Sequence, residues 1–381
     1  MSAAGGAHRA ASRRGERGPR AERGQFWRGF WNPHPLVLGA ALLVMAGLLL
    51  GLQRTVTSGW FTVVHEASFV RTPHDDWGDV SWQVGRLKRA PPDKVGIYLM
   101  GGSNVRECIQ TPASLEKAIA ATCGVETAVY DFGSTNQHFG ESLAIVDNLP
   151  PPPGVVVIGV NQTRFAYSPA EIRVQLKGKE LLLRSPALWR FVRDHGDEGR
   201  FDFTIVPGIM SYAASWAEEY QSTIANGHVP HTDYVAHRYT QSDIWTDDMK
   251  QAHVDKWNSD KGAPGGAFDT YFDYDAVLLK YMVAQARERG YEVVLLEVPE
   301  NQVIVGDQFD RFKEKYQPLC SRLADEHGAH YVDFNDRLDL PSSDFRDLTH
   351  LVEPGRVKWT QALAEALCPI LSGMTAGETA P

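Results

Sequence analysis

The sequence predicts a doubly wound α/β domain built on a mostly parallel sheet of five strands. From Val95 onward, short runs of β-branched and other apolar residues alternate with longer helical stretches. The short runs are apolar on both faces, as in strands that helices cover from two sides. Such alternation is typical of a parallel sheet between two layers of helices.

Five segments fit buried strands, and helical stretches follow most of them. The strands are expected at 95–100 (VGIYLM), 127–132 (TAVYDF), 154–160 (GVVVIGV), 291–298 (YEVVLLEV) and 329–334 (AHYVDF). The helices are expected at 112–121, 138–147, 275–289, 308–327 and 355–371.

Residues 165–275 interrupt this alternation. They carry many aromatic residues and a glycine-rich turn, GAPGG, at 262–266. An insertion of this length between two strands is expected to form a lid or a substrate-binding subdomain.

Some side chains of the insertion have two interpretations. The histidines His228, His231 and His237 are able to bind a polyanionic glycan or a metal, but their spacing of three and six residues favours surface positions. Trp216, Tyr220 and Trp245 either stack on sugar rings or, the more common role, pack in a core.

The charge of the chain is unevenly distributed. The formal net charge is −9, yet residues 1–35 hold seven arginines against two glutamates. The body is therefore acidic, which argues against nucleic acid as a partner because phosphate binding needs a basic face. The basic tail is better explained by membrane topology.

An uncharged apolar run, PLVLGAALLVMAGLLLGL, follows the basic tail at 35–52. It is nearly long enough to cross a hydrocarbon core about 30 Å thick. All seven arginines precede it, so the positive-inside rule predicts a cytoplasmic N-terminus and a body outside the membrane. A cleaved signal peptide is the alternative, but the run is long for one and no A-x-A site follows.

These observations divide the chain into five parts. They are a disordered basic cytoplasmic tail (1–34), a transmembrane anchor (35–53), a stalk or lead-in (54–92), an extracytoplasmic domain (93–371) that contains the insertion, and a disordered tail (372–381).

Four cysteines fall in the predicted domain. Outside the membrane they are free to form disulfides, and four cysteines allow three pairings. Cys108 with Cys123 and Cys320 with Cys368 is the pairing expected here, because each pair lies within one half of the domain. No cysteine or histidine spacing indicates zinc, and no cofactor is predicted.

Polar residues follow four of the strands, where an open parallel sheet binds its ligands. Ser103 follows the first strand after two glycines, and a helix start there presents N–H groups to negative charge. Gly133 and Asn161 follow the second and third strands and are candidate oxyanion donors. Asp347 and His350 follow the fifth strand, at a spacing that lets the carboxylate orient the imidazole.

Each of these signals is weak alone. Ser103 also suits an ordinary helix cap, Gly133 a plain turn, Asn161 a turn or a glycosylation site, and the aspartate–histidine pair a surface loop or a metal site. In combination they resemble the four blocks of the SGNH (GDSL-like) hydrolase superfamily across about residues 93–371. Gly102 and Gln162 depart from that pattern, standing where the family often has aspartate.

The resemblance implies a flavodoxin-like SGNH fold and a serine esterase or acyltransferase. Its triad would be Ser103, Asp347 and His350, and its oxyanion hole Ser103, Gly133 and Asn161. The anchor narrows the resemblance to envelope-modifying members, such as D-alanine transfer and alginate O-acetylation proteins. Those work beside a multi-pass membrane O-acyltransferase, so the implied substrate is an envelope glycan or lipid.

Three other functions remain open. The first is a non-catalytic assembly or binding subunit of an acyltransferase complex. The second is a free-standing esterase or lipase, and the third is a metal-dependent phosphodiesterase. The last ranks lowest because the sequence offers no second metal cluster.

Overall fold

Five parallel strands form the sheet at the centre of the fold. The structure, a computed structural model, describes residues 34–57, 76–176, 185–195, 217 and 235–377. The strands are β1 (Val95–Met100), β2 (Thr127–Asp131), β3 (Gly154–Val160), β4 (Glu292–Glu297) and β5 (His330–Val332). Their order is β2-β1-β3-β4-β5, and every neighbouring pair is parallel. The predicted α/β class and its five strands are therefore confirmed, with shifts of one or two residues at some ends.

Helices connect the strands and extend the chain at both ends. In chain order they are α1 (Pro35–Thr57), α2 (Asp76–Arg89), α3 (Ser103–Arg106), α4 (Pro112–Cys123), α5 (Phe139–Asn148), α6 (Pro169–Leu176), α7 (Pro186–His195), α8 (Asp247–Ser259), α9 (Ala267–Glu288), α10 (Gln302–Val305), α11 (Asp310–His327) and α12 (Glu353–Gly377).

Each face of the sheet has its own apolar core. Alternate residues of β1 point to opposite faces: Tyr98 and Met100 join one core, while Ile97 and Leu99 join the other. Helices α2, α5, α7, α9 and α11 cover the first face, and α4 and α12 cover the second. Because both faces are covered, the strands contain long runs of apolar residues rather than an alternating pattern.

Helix α2 lies within the segment that the sequence assigns to a lead-in. Val80, Val84 and Leu87 are buried in the core of the first face. Asp76, at the start of the helix, accepts hydrogen bonds from the backbone and hydroxyl of Thr135, at 3.0 and 2.7 Å. This helix is therefore part of the folded domain, and the predicted stalk between α1 and α2 falls on residues outside the described part.

The described parts of the insertion pack on the domain. Ala187, Leu188 and Phe191 of α7 are buried in the first-face core. Residues 235–259 run along the edge of the sheet where β1 ends, and Trp245 donates its backbone N–H to Arg346 O at 2.8 Å. The predicted positions Trp216, Tyr220, His228 and His231 lie outside the described residues.

The predicted cysteine pairing is wrong. Cys123 and Cys368 form a disulfide, while Cys108 and Cys320 are buried free thiols. Helices α4 and α12 lie side by side on the second face, which brings the two bonded residues together. Cys320 packs in the core of the first face, so the sheet separates it from Cys368.

Helix α1 matches the predicted anchor. Its segment Pro35–Leu52 has a mean hydropathy of 2.4 and carries no charged side chain. By length and composition this helix can span a membrane.

Candidate active site

Ser103 stands at the first residue of α3, directly after β1. The turn needs glycine at position 101, because a Cβ there would lie 2.4 Å from Val105 Cγ2. Helix α3 begins without a side-chain cap, and no acceptor for the Ser103 backbone N–H is present among the described residues. The serine therefore lies at the end of the sheet where the first N–H groups of a helix are unsatisfied.

The loop that carries Asp347 and His350 is closed by its own backbone. Arg346 N donates to His350 O at 2.8 Å, and Phe345 pairs with Leu351 as an antiparallel bridge. Inside this loop Asp347 Oδ1 accepts the backbone N–H groups of Thr349 and His350, both at 3.0 Å. The spacing of three residues thus fixes both the carboxylate and the following imidazole.

Serine, histidine and aspartate form a continuous chain of hydrogen bonds. Ser103 Oγ lies 2.8 Å from His350 Nε2, and His350 Nδ1 lies 2.8 Å from Asp347 Oδ2. The three side chains come from opposite ends of the sequence, 247 residues apart at the serine–histidine contact. The structure therefore brings together all three residues that the sequence predicts as a triad.

Asp347 is held in its charged form. Burial favours the neutral carboxyl, but hydrogen bonding and charge interaction with His350, together with two backbone N–H groups, outweigh it and place the pKa of Asp347 well below its usual value. Arg346 Nη1 also donates to Asp347 Oδ2 at 2.7 Å. A charged aspartate at this position can fix the tautomer of His350 and stabilise an imidazolium.

Aromatic side chains from the insertion cover the charged groups. The Arg346 guanidinium lies 4.1 Å from the ring centroid of Tyr239 and 4.6 Å from that of Trp245. The Tyr239 ring also meets the His350 ring edge-on, at 5.3 Å between centroids. Two residues of the insertion therefore shield the triad, and no sequence signal distinguished Tyr239 from other loop aromatics.

Asn161 follows β3 and lines the cavity of Ser103 with its side-chain amide held in place. It caps the 3₁₀ turn that follows β3, and its Oδ1 accepts from Thr163 Oγ1 at 2.7 Å and from Arg164 N at 3.3 Å. These bonds fix which side of the amide carries the NH₂ group, and that group has no acceptor in the described part of the chain. Asn161 is 3% exposed and lines the same cavity as Ser103.

The backbone N–H of Gly133 is already used within its own loop. Its N–H donates to Asp131 Oδ1 at 3.0 Å, and the residue does not line the cavity that holds Ser103. A Cβ at this position would lie 2.8 Å from the backbone nitrogen of Arg106. Glycine is needed here for close packing against α3.

A buried ionic network lies behind Gly133. Burial raises the pKa of Asp131, against the opposing effect of Arg238, whose Nη2 lies 3.6 Å from Asp131 Oδ2. Arg238 also donates to the carbonyl oxygens of Arg106 and Ile109. This network joins the loop after β2, the helix of Ser103 and the insertion.

The loop after β2 contributes Asn136 and Gln137 to the cavity instead. Asn136 adopts a positive φ of 55°, a conformation in which asparagine is enriched. Gln137 donates from its side chain to Phe132 O at 2.8 Å, which holds the loop against β2. The sequence shows an asparagine in this loop but not its left-handed conformation, so the position of Asn136 in the cavity was not predictable.

The cavity around the triad has a volume of about 390 Å³. Trp245, Trp257 and Tyr167 provide aromatic walls, and Arg164, Lys261 and Arg346 provide positive charge. Five of the residues that line the cavity come from the insertion. Arg164, Trp257 and Lys261 were missed because neither periodicity nor a motif marks them.

Two other histidines contact residues outside the triad. His138 is buried and caps α5 by accepting the N–H of Glu141. His237 stacks edge-on against Tyr239 at 4.6 Å. Within the described ranges, no group of three His, Cys, Asp or Glu side chains is arranged to hold a metal ion.

The chain was also compared with known proteins. A scan against models of protein families found no match, and a search of curated proteins found no significant match.

Proposed function

We propose that this protein is a membrane-anchored serine esterase or O-acyltransferase with Ser103, His350 and Asp347 as its catalytic triad. The observation that carries the proposal is the hydrogen-bond chain from Ser103 Oγ through His350 to Asp347, with 2.8 Å at each link. A nucleophile, a base and an orienting carboxylate within hydrogen-bond reach make up the machinery of acyl transfer.

In the proposed reaction Ser103 Oγ attacks the carbonyl carbon of an ester while His350 Nε2 takes the hydroxyl proton. The resulting oxyanion accepts hydrogen bonds from the backbone N–H of Ser103 and the side-chain NH₂ of Asn161. The ester C–O bond then breaks, and His350 returns the proton to the leaving alcohol. Water or a sugar hydroxyl, deprotonated by His350, resolves the acyl-enzyme.

The strand order and the position of the triad support a flavodoxin-like SGNH assignment. The order β2-β1-β3-β4-β5 corresponds to one of the common doubly wound arrangements, with ligands at the carboxyl ends of the strands. Serine after β1, asparagine after β3 and the Asp-x-x-His pair after β5 match three of the family's blocks in place. Gly133 matches the fourth in sequence only.

We further propose that the catalytic domain lies outside the cytoplasm. Helix α1 is able to span a membrane, and the arginines precede it. The disulfide between Cys123 and Cys368 is also typical of an oxidising compartment. Together with the family resemblance, this favours an envelope glycan or lipid as substrate and a multi-pass membrane O-acyltransferase as partner.

Intact-mass analysis after incubation with a fluorophosphonate tests the proposal directly. The full chain in non-ionic detergent is expected to gain a single adduct, and Ser103→Ala to gain none. Ser259→Ala changes an exposed serine and is the matched control, with labelling expected at the wild-type level. Absence of any adduct on the wild type, or an adduct that persists in Ser103→Ala, contradicts Ser103 as an activated nucleophile.

Hydrolase and transferase are distinguished by the fate of the acyl group. With an acetyl ester as donor, a transferase is expected to produce acetylated sugar when a soluble oligosaccharide is added. A hydrolase is expected to release acetate at an unchanged rate with no acetylated product. Mass spectrometry of the oligosaccharide measures the difference.

A further inference from the structure

The cavity around the triad carries more positive than negative charge. Among the described residues that line it, Arg164, Lys261 and Arg346 are cations, and Asp347 is the one carboxylate. Asp347 already contacts Arg346 and His350. The charges of Arg164 and Lys261 are therefore left without compensation inside the cavity.

Arg164 is a buried cation for which the described part of the chain provides no ion pair. It is 3% exposed, and its Nη1 and Nη2 donate to uncharged oxygens, Gly159 O at 2.6 Å and Ser142 Oγ at 2.7 Å. Its Nε has no acceptor in the described part of the chain. A buried charge of this kind is costly unless a counter-charge lies nearby.

Two buried carboxyl groups, Glu141 and Asp275, act on Arg164 from outside the cavity lining, and neither is within ion-pair distance of it in the described part of the chain. Burial raises the pKa of Asp275 to about 8, so this group is largely neutral at pH 7. Burial also lowers the pKa of Arg164 to about 10, which still leaves the guanidinium charged. A negative group in the cavity would compensate Arg164.

Lys261 lies in the loop between α8 and α9, at a partly exposed position of the cavity wall. Its ammonium group lies 5.1 Å from the ring centroid of Tyr167 and has no carboxylate within ion-pair distance among the described residues. Trp257 beside it is fixed edge-on against Phe312 at 4.5 Å, and its indole N–H lacks an acceptor in the described part. Lys261 and Trp257 thus bring two further donors to the cavity that Arg164 also lines.

We propose that this cavity contains a subsite for a negatively charged group of the substrate, a carboxylate or a phosphate, which pairs with Lys261 in the field of Arg164. The inference rests on the proposed function, because it assigns a substrate class to the same cavity. The substrate is then an ester whose alcohol or acyl part carries an anionic group close to the reacting carbonyl.

Three acetate esters of similar size test the subsite. They are 4-acetoxybenzoate, 4-acetoxyphenyl phosphate and the neutral methyl 4-acetoxybenzoate, and the measurement is kcat/KM for the full chain in non-ionic detergent. Lys261→Gln is expected to reduce kcat/KM about five- to tenfold for the anionic esters and less than twofold for the neutral one. That factor corresponds to roughly 1–1.4 kcal/mol, as expected for a partly exposed ion pair.

Two further variants make the test specific. Lys261→Arg retains the charge and is expected to retain the preference for anionic esters. Lys256→Gln removes an exposed lysine of α8 and is expected to change none of the three rates. Equal loss on neutral and anionic esters in Lys261→Gln, or no loss on either, overturns the subsite. The relative loss on the carboxylate and phosphate esters identifies which anion fits.

Binding separates failure of the subsite from failure of the proposed function. In the Ser103→Ala chain, which cannot form an acyl-enzyme, calorimetric titration is expected to give tighter binding of 4-acetoxybenzoate than of its methyl ester. Addition of Lys261→Gln is expected to abolish that difference. If the anion binds but no ester is hydrolysed, the subsite stands and the proposed reaction fails. If neutral esters are hydrolysed but the anion has no advantage, the reaction stands and the subsite fails.

Discussion

The loops after β2 and β3 lie on either side of the strand that leads to Ser103, and their sequences offer similar signals. Each places a residue of the type used in oxyanion holes directly after an apolar strand, Gly133 in one case and Asn161 in the other. In the structure only Asn161 lines the cavity. The difference follows from where the hydrogen bonds of each loop go.

In the β3 loop the hydrogen bonds leave a donor available. Thr163 and Arg164 use the carbonyl oxygen of the Asn161 side chain, so its NH₂ group remains for a ligand. In the β2 loop Asp131 uses the N–H of Gly133, and α3 packs against the glycine on its other side. Following each N–H and NH₂ donor to its acceptor therefore distinguishes Gly133 from Asn161, although the sequence motif treats the two positions alike.

The two loops also differ in the buried charged side chains that lie next to them. Behind the β2 loop, Asp131 pairs with Arg238, and Asp76 pairs with Arg106. Beside the β3 loop, no described carboxylate lies within ion-pair distance of Arg164, and Asp275 is a buried acid with a raised pKa. The first network is electrostatically closed and structural, whereas the second leaves positive charge beside the cavity.

Replacement of Asn161 should give the largest effect on activity. Asn161→Ala removes the side-chain donor, and loss of one oxyanion donor costs about 10²–10³ in kcat, or roughly 3–4 kcal/mol. The measurement is hydrolysis of 4-nitrophenyl acetate by the full chain. KM is expected to change little, because the hydrogen bond strengthens only as the oxyanion forms.

Asn161→Asp is the matched control for the fold. The aspartate retains an oxygen that can accept from Thr163 and Arg164 but has no NH₂ group, so it should lose as much activity as Asn161→Ala while keeping the cap. Near-normal kcat in Asn161→Asp would show that Asn161 serves the turn and not the oxyanion.

Gly133→Ala should affect folding and not chemistry. A Cβ there meets backbone atoms of Arg106 at 2.8 and 3.1 Å, contacts that α3 relieves only by moving. Overpacking of this kind costs about 1–3 kcal/mol, so Tm is expected to fall by several degrees while kcat of the folded protein changes little. Thermal unfolding and 4-nitrophenyl acetate hydrolysis measure the two quantities separately.

Gly373→Ala tests whether loss of any glycine has the same effect. Gly373 lies in α12 with open space around it, so its replacement is expected to leave Tm unchanged or slightly higher. If Gly133→Ala instead leaves Tm intact and reduces kcat as strongly as Asn161→Ala, then Gly133 contributes to the oxyanion hole in solution and the comparison between the two loops is wrong.

The sequence was most informative where a residue's role follows from its position after a strand. Buried parallel strands are apolar along their whole length, so their limits were predictable, and Ser103, Asp347 and His350 follow from the strand ends. The direction of the Gly133 N–H was not predictable, because it depends on the conformation of Asp131, two residues earlier.

Contacts between distant parts of the chain were also not predictable from the sequence. The partner of Cys123 is 245 residues away and is selected by the contact between α4 and α12. Helix α2 was assigned to a lead-in because its apolar residues are few and lie within a polar stretch. Arg164 and Lys261 support an anion subsite because no carboxylate among the described residues lies within ion-pair distance of either one. No local sequence pattern encodes that absence.

The last prediction concerns the pH dependence of stability on the β3 side. The pKa of Asp275 is about 8 in the folded state, because of burial, and 3.8 is its ordinary value in an unfolded chain. Between these values the folded state binds the proton and the unfolded state does not, so this group's contribution to stability is greatest at low pH and is lost as pH rises. The expected slope is about 1.4 kcal/mol per pH unit at most.

Asp275→Asn removes this proton while retaining an oxygen to accept the Tyr167 N–H, a bond of 3.0 Å in the wild type. The Tm of the variant minus that of the wild type is therefore expected to increase steadily from pH 5 to pH 7.5, since subtraction cancels other titrating groups. Asp273→Asn, at an exposed position of the same helix, should give a flat difference over that range. A flat difference for Asp275→Asn as well would mean that Asp275 is ionised in the folded state, and a charged Asp275 would then help to neutralise Arg164 and weaken the electrostatic contrast between the two loops.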